Sequence, residues 1–297
     1  MIRLMGGLGN QMFQYAFGRS LSLQYKTELV LDGSLLLDKS SDHHVTTHRD
    51  FDLDIFPNLK FRAAKESEVF LFNGDPKASV FNKITRRISL LFNPKKLIVQ
   101  QANQIKTEYL NIEGDTCLAG RWQSYKFFEN DFDQIKKDFI LEKPSILNID
   151  LLLEKIESQN SVCLHVRRGD LVTSPVYNKI IGALDFAYYK SAIEKMNALV
   201  PDPLYCIFSD DIEWCKQNMN LAASALFIDK SFSGTKAEGH LFLMSKCKHF
   251  IISNSTFAWW GAFLSGNTSK KIIYPKNWYK ETSLVNPEMC PPEWMAN

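Results

Sequence analysis

The ten residues Ser161-Val-Cys-Leu-His-Val-Arg-Arg-Gly-Asp170 constrain this chain more than any other stretch. Ser161 to Val166 are mostly apolar, with β-branched valines near both ends, the pattern of a strand buried on both faces of a parallel sheet. Two arginines follow at once, then a glycine and an aspartate. In open α/β sheets ligands bind beyond the carboxyl ends of the strands. Fixed positive charge at that point predicts an anion site at Arg167 and Arg168, whose planar forks match phosphate oxygens two at a time. The competing reading is a structural ion pair, for instance Arg168 with Asp170. His165 just before the pair and Gly169 just after it favour the site.

The same alternation of strands and helices runs through the rest of the chain. Ile2–Met5 reads as a strand, Gly6-Gly-Leu-Gly-Asn-Gln11 as a tight glycine turn, and Met12, Phe13, Ala16, Phe17 and Leu21 recur at helical spacing to about Tyr25. Glu28–Asp32 reads as the next strand. This unit clusters backbone N–H groups near a helix start, where an oxyanion or sugar hydroxyls can be held. It is not the dinucleotide fingerprint, which would need glycine at Met12, and the absence of any Gly-Lys pair excludes a Walker-type loop. Further strands are expected at 204–208, 225–229, 250–253 and 271–274. Asp210 or Asp211 is expected to cap the helix at Ile212. Asn254-Ser255-Thr256 opens another helix, either as an ordinary N-cap or as donors for an anion. Gly120-Arg-Trp-Gln-Ser-Tyr125 offers aromatic and amide groups suited to a sugar surface. The tail beyond Pro275 reads as an irregular arm.

Length and composition bound the rest. The 297 residues suffice for two domains, and a formal charge of +2 points to neither nucleic acid nor a strongly acidic partner. The six cysteines form no C-x-x-C pair and read as reduced core residues. No signal peptide or membrane-length apolar run is found, so the expectation is a soluble, cytoplasmic, bacterial protein. Asp50, Asp52 and Asp54 alternate with Phe51, Leu53 and Ile55. Asp52-Leu53-Asp54 is either a metal-holding D-x-D or one solvated face of an alternating segment. Lys83, Arg86, Arg87, Lys95 and Lys96 interleave with Ile84, Ile88, Leu90, Leu91 and Phe92. That is either a solvated helix or a basic amphipathic segment able to touch a membrane. The expected organisation is α/β, with two Rossmann-like domains, 1–150 and 151–297, facing across a cleft.

Taken together, Gly6–Tyr15, His165–Asp170, Phe208-Ser-Asp-Asp211, Leu243–His249 and Asn254-Ser-Thr-Phe-Ala-Trp-Trp260 resemble the bacterial and animal α-1,2-fucosyltransferases, in order and over nearly the whole chain. The resemblance implies a GT-B-type fold, GDP-β-L-fucose as donor, a galactose-terminated acceptor, inversion at the anomeric carbon, and no metal or other cofactor; membrane contact by the basic amphipathic segment would suit a lipid-linked acceptor. It places the acceptor on the first domain and GDP-fucose on the second. Matched residue by residue, it implies Arg167 on the β-phosphate. His165, Arg168, Asp210, Asn254, Ser255 and Thr256 join it around GDP-fucose. Asn10, Gln11, Trp122 and Gln123 fall to fucose or acceptor, and Asp170 is nominated as base, or as a group that orients Arg168. Two positions depart from the family pattern. His240, with Glu238 nearby, stands where an aspartate would read guanine, and Arg121 stands where an aromatic is usual. Three rival readings stay open: another fucose linkage or GDP-sugar, a GDP-sugar-binding protein without turnover, and a metal-dependent enzyme using Asp52 and Asp54.

Overall fold

The computed structural model describes residues 1–37, 49–73, 79–101, 105–112, 114–219, 221, 224–284 and 288–297. The chain forms two compact units, Met1–Phe139 and Ile140–Asn297. The division falls before the Ile149–Ser158 helix, which packs on the Glu238–Lys246 helix of the second unit and buries Ile149 and Ile156. That packing is the physical reason the division precedes residue 150.

The first unit carries five strands: β1 (Ile2–Arg3), β2 (Val30–Asp32), β3 (Arg62–Ala63), β4 (Lys96–Val99) and β5 (Thr116–Ala119). They form a parallel sheet in the order β3-β2-β1-β5-β4. The strand order reverses between β1 and β5. The Leu8–Tyr25 helix follows β1 and buries Met12, Phe13, Ala16 and Phe17 completely. Arg3 on β1 is paired with Asp32 on β2 at 2.9 Å, both buried. The segment 49–56 is not the alternating strand its sequence suggests. Leu53–Ile55 is a short 3-10 turn that buries Leu53, and Asp52 donates its backbone N–H to Gln11 Oε1 at 3.0 Å. A hydrogen bond to a buried side chain here replaces the ladder a strand would need.

The second unit carries β6 (Asn160–Val166), β7 (Pro203–Ser209), β8 (Ala225–Ile228), β9 (His249–Ile251), β10 (Ile272–Tyr274) and β11 (Met295–Ala296). This sheet is also parallel, in the order β11-β10-β9-β6-β7-β8, and reverses between β6 and β9. Val162, Cys163, Leu164 and Val166 are fully buried, as expected of a central parallel strand. The tail is more regular than its prolines suggest, because β11 adds to the sheet beside β10. All six cysteines are buried and unpaired. Among the described residues no helix is long and apolar enough to cross a membrane.

Candidate functional site

Both reversal points are bridged by side chains. In the second unit His165, at the end of β6, shares a 2.8 Å hydrogen bond between its Nδ1 and Ser253 Oγ just beyond β9. The imidazole is 8% exposed. Burial, then the neighbouring Arg167 charge, pushes its pKa down to about 3, so the ring is neutral. In unfolded chain it would titrate near 6.5. A histidine depressed on folding stabilises the fold above its unfolded pKa. That contribution is lost as pH falls toward the folded value, because only the unfolded chain takes up the proton. Stability should therefore drop below pH 6.5 by up to about 1.4 kcal/mol per pH unit from this group. Urea unfolding between pH 7.5 and 5 should show His165→Asn with a slope shallower by one proton.

Beyond His165 the two arginines are fixed separately. Arg167 meets Asp170 in a fork, with Nη2 donating to Oδ2 at 2.8 Å and to Oδ1 at 3.0 Å, and a longer Nε contact of 3.3 Å. The sequence offers Asp170 as a base or as a group that orients Arg168. The structure places it on Arg167 instead, because Asp170 lies in the first turn of the Gly169–Thr173 helix, three residues from Arg167 and on its side. Arg168 instead donates its Nε–H to Asp211 at 3.1 Å, with its guanidinium 4.0 Å from the Trp214 ring centre. Its backbone N–H donates to Asp210 Oδ1 at 2.8 Å. Asp211 Oδ1 accepts from Trp214 N–H and caps the Ile212–Asn218 helix. Of the two aspartates, Asp211 is the cap and Asp210 ties β7 to the arginine turn. A Cβ on Gly169 would come 2.6 Å from Asp210 Oδ2, which explains glycine there. A cavity of about 400 Å³ lies at the ends of β7 and β8, lined by Ser209, Asp210, Asp211, Asp229, Lys230 and Ser231 among others.

The Asn254–Thr256 turn divides by role. Asn254 is 3% exposed and its amide donates to the carbonyls of Gly182 (2.9 Å), Trp278 (3.3 Å) and Ile181 (3.4 Å), so it holds loops together. Ser255 is buried and its Oγ accepts from Ala258 N–H, the ordinary capping role. Thr256, half-buried, is the first residue of the Thr256–Leu264 helix. His240 rests edge-on against Phe208 and hydrogen-bonds through Nε2 to the Asp229 carbonyl at 2.8 Å. A carbonyl only accepts, so that nitrogen carries the proton. Glu238 accepts the Thr235 and Lys236 N–H groups, closing its own turn.

In the first unit the glycine turn is clamped by amides. Gln11 Nε2 donates to the carbonyls of Gly6 (2.9 Å) and Asp50 (2.8 Å), while its Oε1 holds Asp52. Gln14, which sequence reasoning missed, pairs with both the N–H and the carbonyl of Met5 and also donates to Gly120. A glutamine inside an apolar helical face was the available signal. Gln123 Nε2 donates to Asn10 Oδ1 at 2.7 Å, spanning β1 and β5. Trp122 is corrected from a sugar-stacking residue to core. It is 0% exposed, packed against Phe17 (4.8 Å), Tyr109 (5.1 Å) and Phe127 (5.5 Å). Its backbone is left-handed (φ 54°), and its N–H donates to Gln100 Oε1, which turns the indole inward. Half-buried Asn10 and Arg121 and exposed Arg49, beside Gly7, are the more accessible polar groups at this turn. Among the described residues no group of three or more His, Cys, Asp or Glu is placed to hold a metal ion.

Two parallel sheets flanked by helices, each with side chains bridging its reversal point and one ending in adjacent arginines, make a GT-B-type fold of two Rossmann-like domains. The chain belongs to glycosyl transferase family 11, whose model matches residues 1–297. It is 32% identical to an Escherichia coli alpha-1,2-colitosyltransferase over 99% of this chain and 97% of that one. It is 28% identical to human galactoside alpha-(1,2)-fucosyltransferase 1 over 65% of this chain and 53% of that one. A structure of Arabidopsis thaliana FUT1 in complex with GDP shares the fold, with a TM-score of 0.51 at 11% identity over 93% of this chain and 70% of that one.

Proposed function

We propose that the chain is a galactoside α-1,2-fucosyltransferase. It moves L-fucose from GDP-β-L-fucose to the 2-hydroxyl of a terminal galactose, with inversion and without a metal. The observation that carries this reading is the Arg167 guanidinium, held by Asp170 at the carboxyl end of the central strand β6. Fucose leaves through an oxocarbenium-like state while negative charge builds on the β-phosphate. A preorganised cation that meets that charge is worth more than one that must be recruited. Arg167 takes that role. Arg168 and Thr256 assist on the remaining phosphate oxygens. The cavity at the ends of β7 and β8 receives the nucleoside, with the carboxylates of Asp210 and Asp229 accepting from ribose and guanine donors. Asp170 positions Arg167. Both its oxygens already accept from the guanidinium. Asn10 serves the fucose or acceptor side. The second unit is the donor domain and the first the acceptor domain.

A second donor has a specific observation behind it, the 32% identity to a colitosyltransferase over 99% of this chain. Colitose lacks the 3-hydroxyl of fucose. A site that hydrogen-bonds that hydroxyl rejects the deoxy sugar strongly, whereas a site without such a contact does not. The test is transfer to lactose from GDP-fucose and from GDP-colitose, with and without EDTA, scoring trisaccharide and free sugar. Chelator-resistant trisaccharide bearing fucose on the galactose 2-hydroxyl is expected. Product from GDP-colitose alone would replace the donor. Loss with EDTA would revive a metal-dependent mechanism. GDP binding without either product would leave a binding protein.

A further inference from the structure

We propose that the outward face of the Val80–Phe92 helix docks on an anionic phospholipid bilayer. The helix is turned inside out relative to a core helix. At 3.6 residues per turn Val80, Phe81, Ile84, Ile88, Leu91 and Phe92 share an arc of about 120°. All six face solvent, from 50% exposed at Ile84 to 86% at Phe92. None of its residues is buried. Its more enclosed positions are Arg86, Ser89 and Leu90. Arg86 ties the helix to the protein by donating to the carbonyls of Phe70, Leu71 and Phe72 at the end of the Glu66–Asn73 helix. The Ser79 hydroxyl accepts from Asn82 N–H and caps the helix start. The helix is therefore held by polar anchors, and its apolar stripe faces solvent.

Charge decides the occupant. From Pro76 to Thr107 the chain has seven basic residues and no acidic one, although the whole chain has 35 and 33. The rest of the molecule is left with 28 basic against 33 acidic residues. Lys83 and Arg87 are exposed beside the apolar arc, and Lys96 is exposed just beyond the helix. An apolar stripe edged by lysine and arginine matches acyl chains beneath anionic headgroups. A second copy of this chain would bring two acid-free basic segments together, so it is disfavoured as the partner. Such docking would hold the enzyme where a lipid-linked acceptor resides, but it does not depend on the identity of the donor or acceptor.

The experiment is co-sedimentation of the full chain with phosphatidylcholine vesicles, with and without about one third phosphatidylglycerol. Binding only to the phosphatidylglycerol vesicles, weakened by salt, is expected. The exposed-face variant Phe81→Ser/Leu91→Ser/Phe92→Ser and the charge variant Lys83→Glu/Arg87→Glu should each bind about tenfold or more weakly. Their thermal unfolding and their turnover of soluble substrate should match the parent. Phe92→Trp guards against helix loss in the serine variant, and its fluorescence should shift blue on anionic vesicles alone. Failure of the parent to bind would overturn the proposal, as would equal binding by the variants. So would a parent dimer that the serine variant dissolves while neither binds vesicles.

Discussion

Arg167→Ala is expected to lose 10² to 10³ in kcat, about 3 kcal/mol of transition-state stabilisation, the size found for deleting one preorganised oxyanion donor. The expectation follows from how the guanidinium is held. Nε and Nη2 are engaged by Asp170, which fixes the plane of the fork, and the side chain remains 26% exposed at the carboxyl end of β6. Lysine cannot reproduce a planar fork, so Arg167→Lys should recover little of the loss. Asp170→Asn separates positioning from mere folding. It removes a negative charge beside the proposed phosphate site, so GDP should bind as well as to the parent or better. Turnover should still fall roughly tenfold, because the fork loses its charged partner. Steady-state kinetics combined with GDP titration calorimetry reads both quantities. Near-parental turnover in Arg167→Ala would remove this arginine from the mechanism. Weaker GDP binding in Asp170→Asn would mean that Asp170 does more than orient its neighbour.

The strands that carry chemistry were legible in the sequence because central parallel strands are uninterrupted apolar runs with polar residues at one end. Ser161–Asp170 and Leu204–Asp211 announce both the strand and the crevice. Three of the four edge strands, β3, β4 and β11, have no such signature. β3 and β11 are two residues each, and β4 exposes Lys96, Leu97 and Val99. Their existence depends on a neighbour's unpaired backbone rather than on their own pattern. Site residues were legible as types but not as partners. Asp170 was placed near an arginine, yet which arginine it meets depends on the turn of a five-residue helix. Trp122 and Gln11 have the chemistry of sugar ligands, and the structure uses one to fill the core and the other to clamp a loop. A left-handed backbone at Trp122 and three simultaneous hydrogen bonds at Gln11 are tertiary facts that spacing does not encode.

The largest stability effect is expected at Asp138, which no motif marks. It is 2% exposed and accepts from Tyr15 Oη at 2.8 Å, Arg19 Nε at 2.9 Å and Gln134 Nε2 at 2.7 Å. Tyr15 and Arg19 project from the Leu8–Tyr25 helix behind the glycine turn, so Asp138 fixes the helix that fixes the turn. Asp138→Ala leaves the Arg19 charge, whose side chain is 16% exposed, without its carboxylate. Breaking a buried ion pair from one side destabilises by about 3 to 5 kcal/mol, a fall in Tm on the order of 10 °C. Asp138→Asn keeps acceptors for Tyr15 and Arg19 and should lose less. The contrast is Glu68, whose carboxyl is pushed down to about 2, chiefly by its hydrogen bonds from Arg62. That pair is 31% and 37% exposed, where water already solvates both charges. Glu68→Ala should therefore cost no more than about 1 kcal/mol. Thermal unfolding of the three variants, read by circular dichroism, orders them. If Glu68→Ala unfolded below Asp138→Ala, burial would not be what sets the value of an ion pair in this unit.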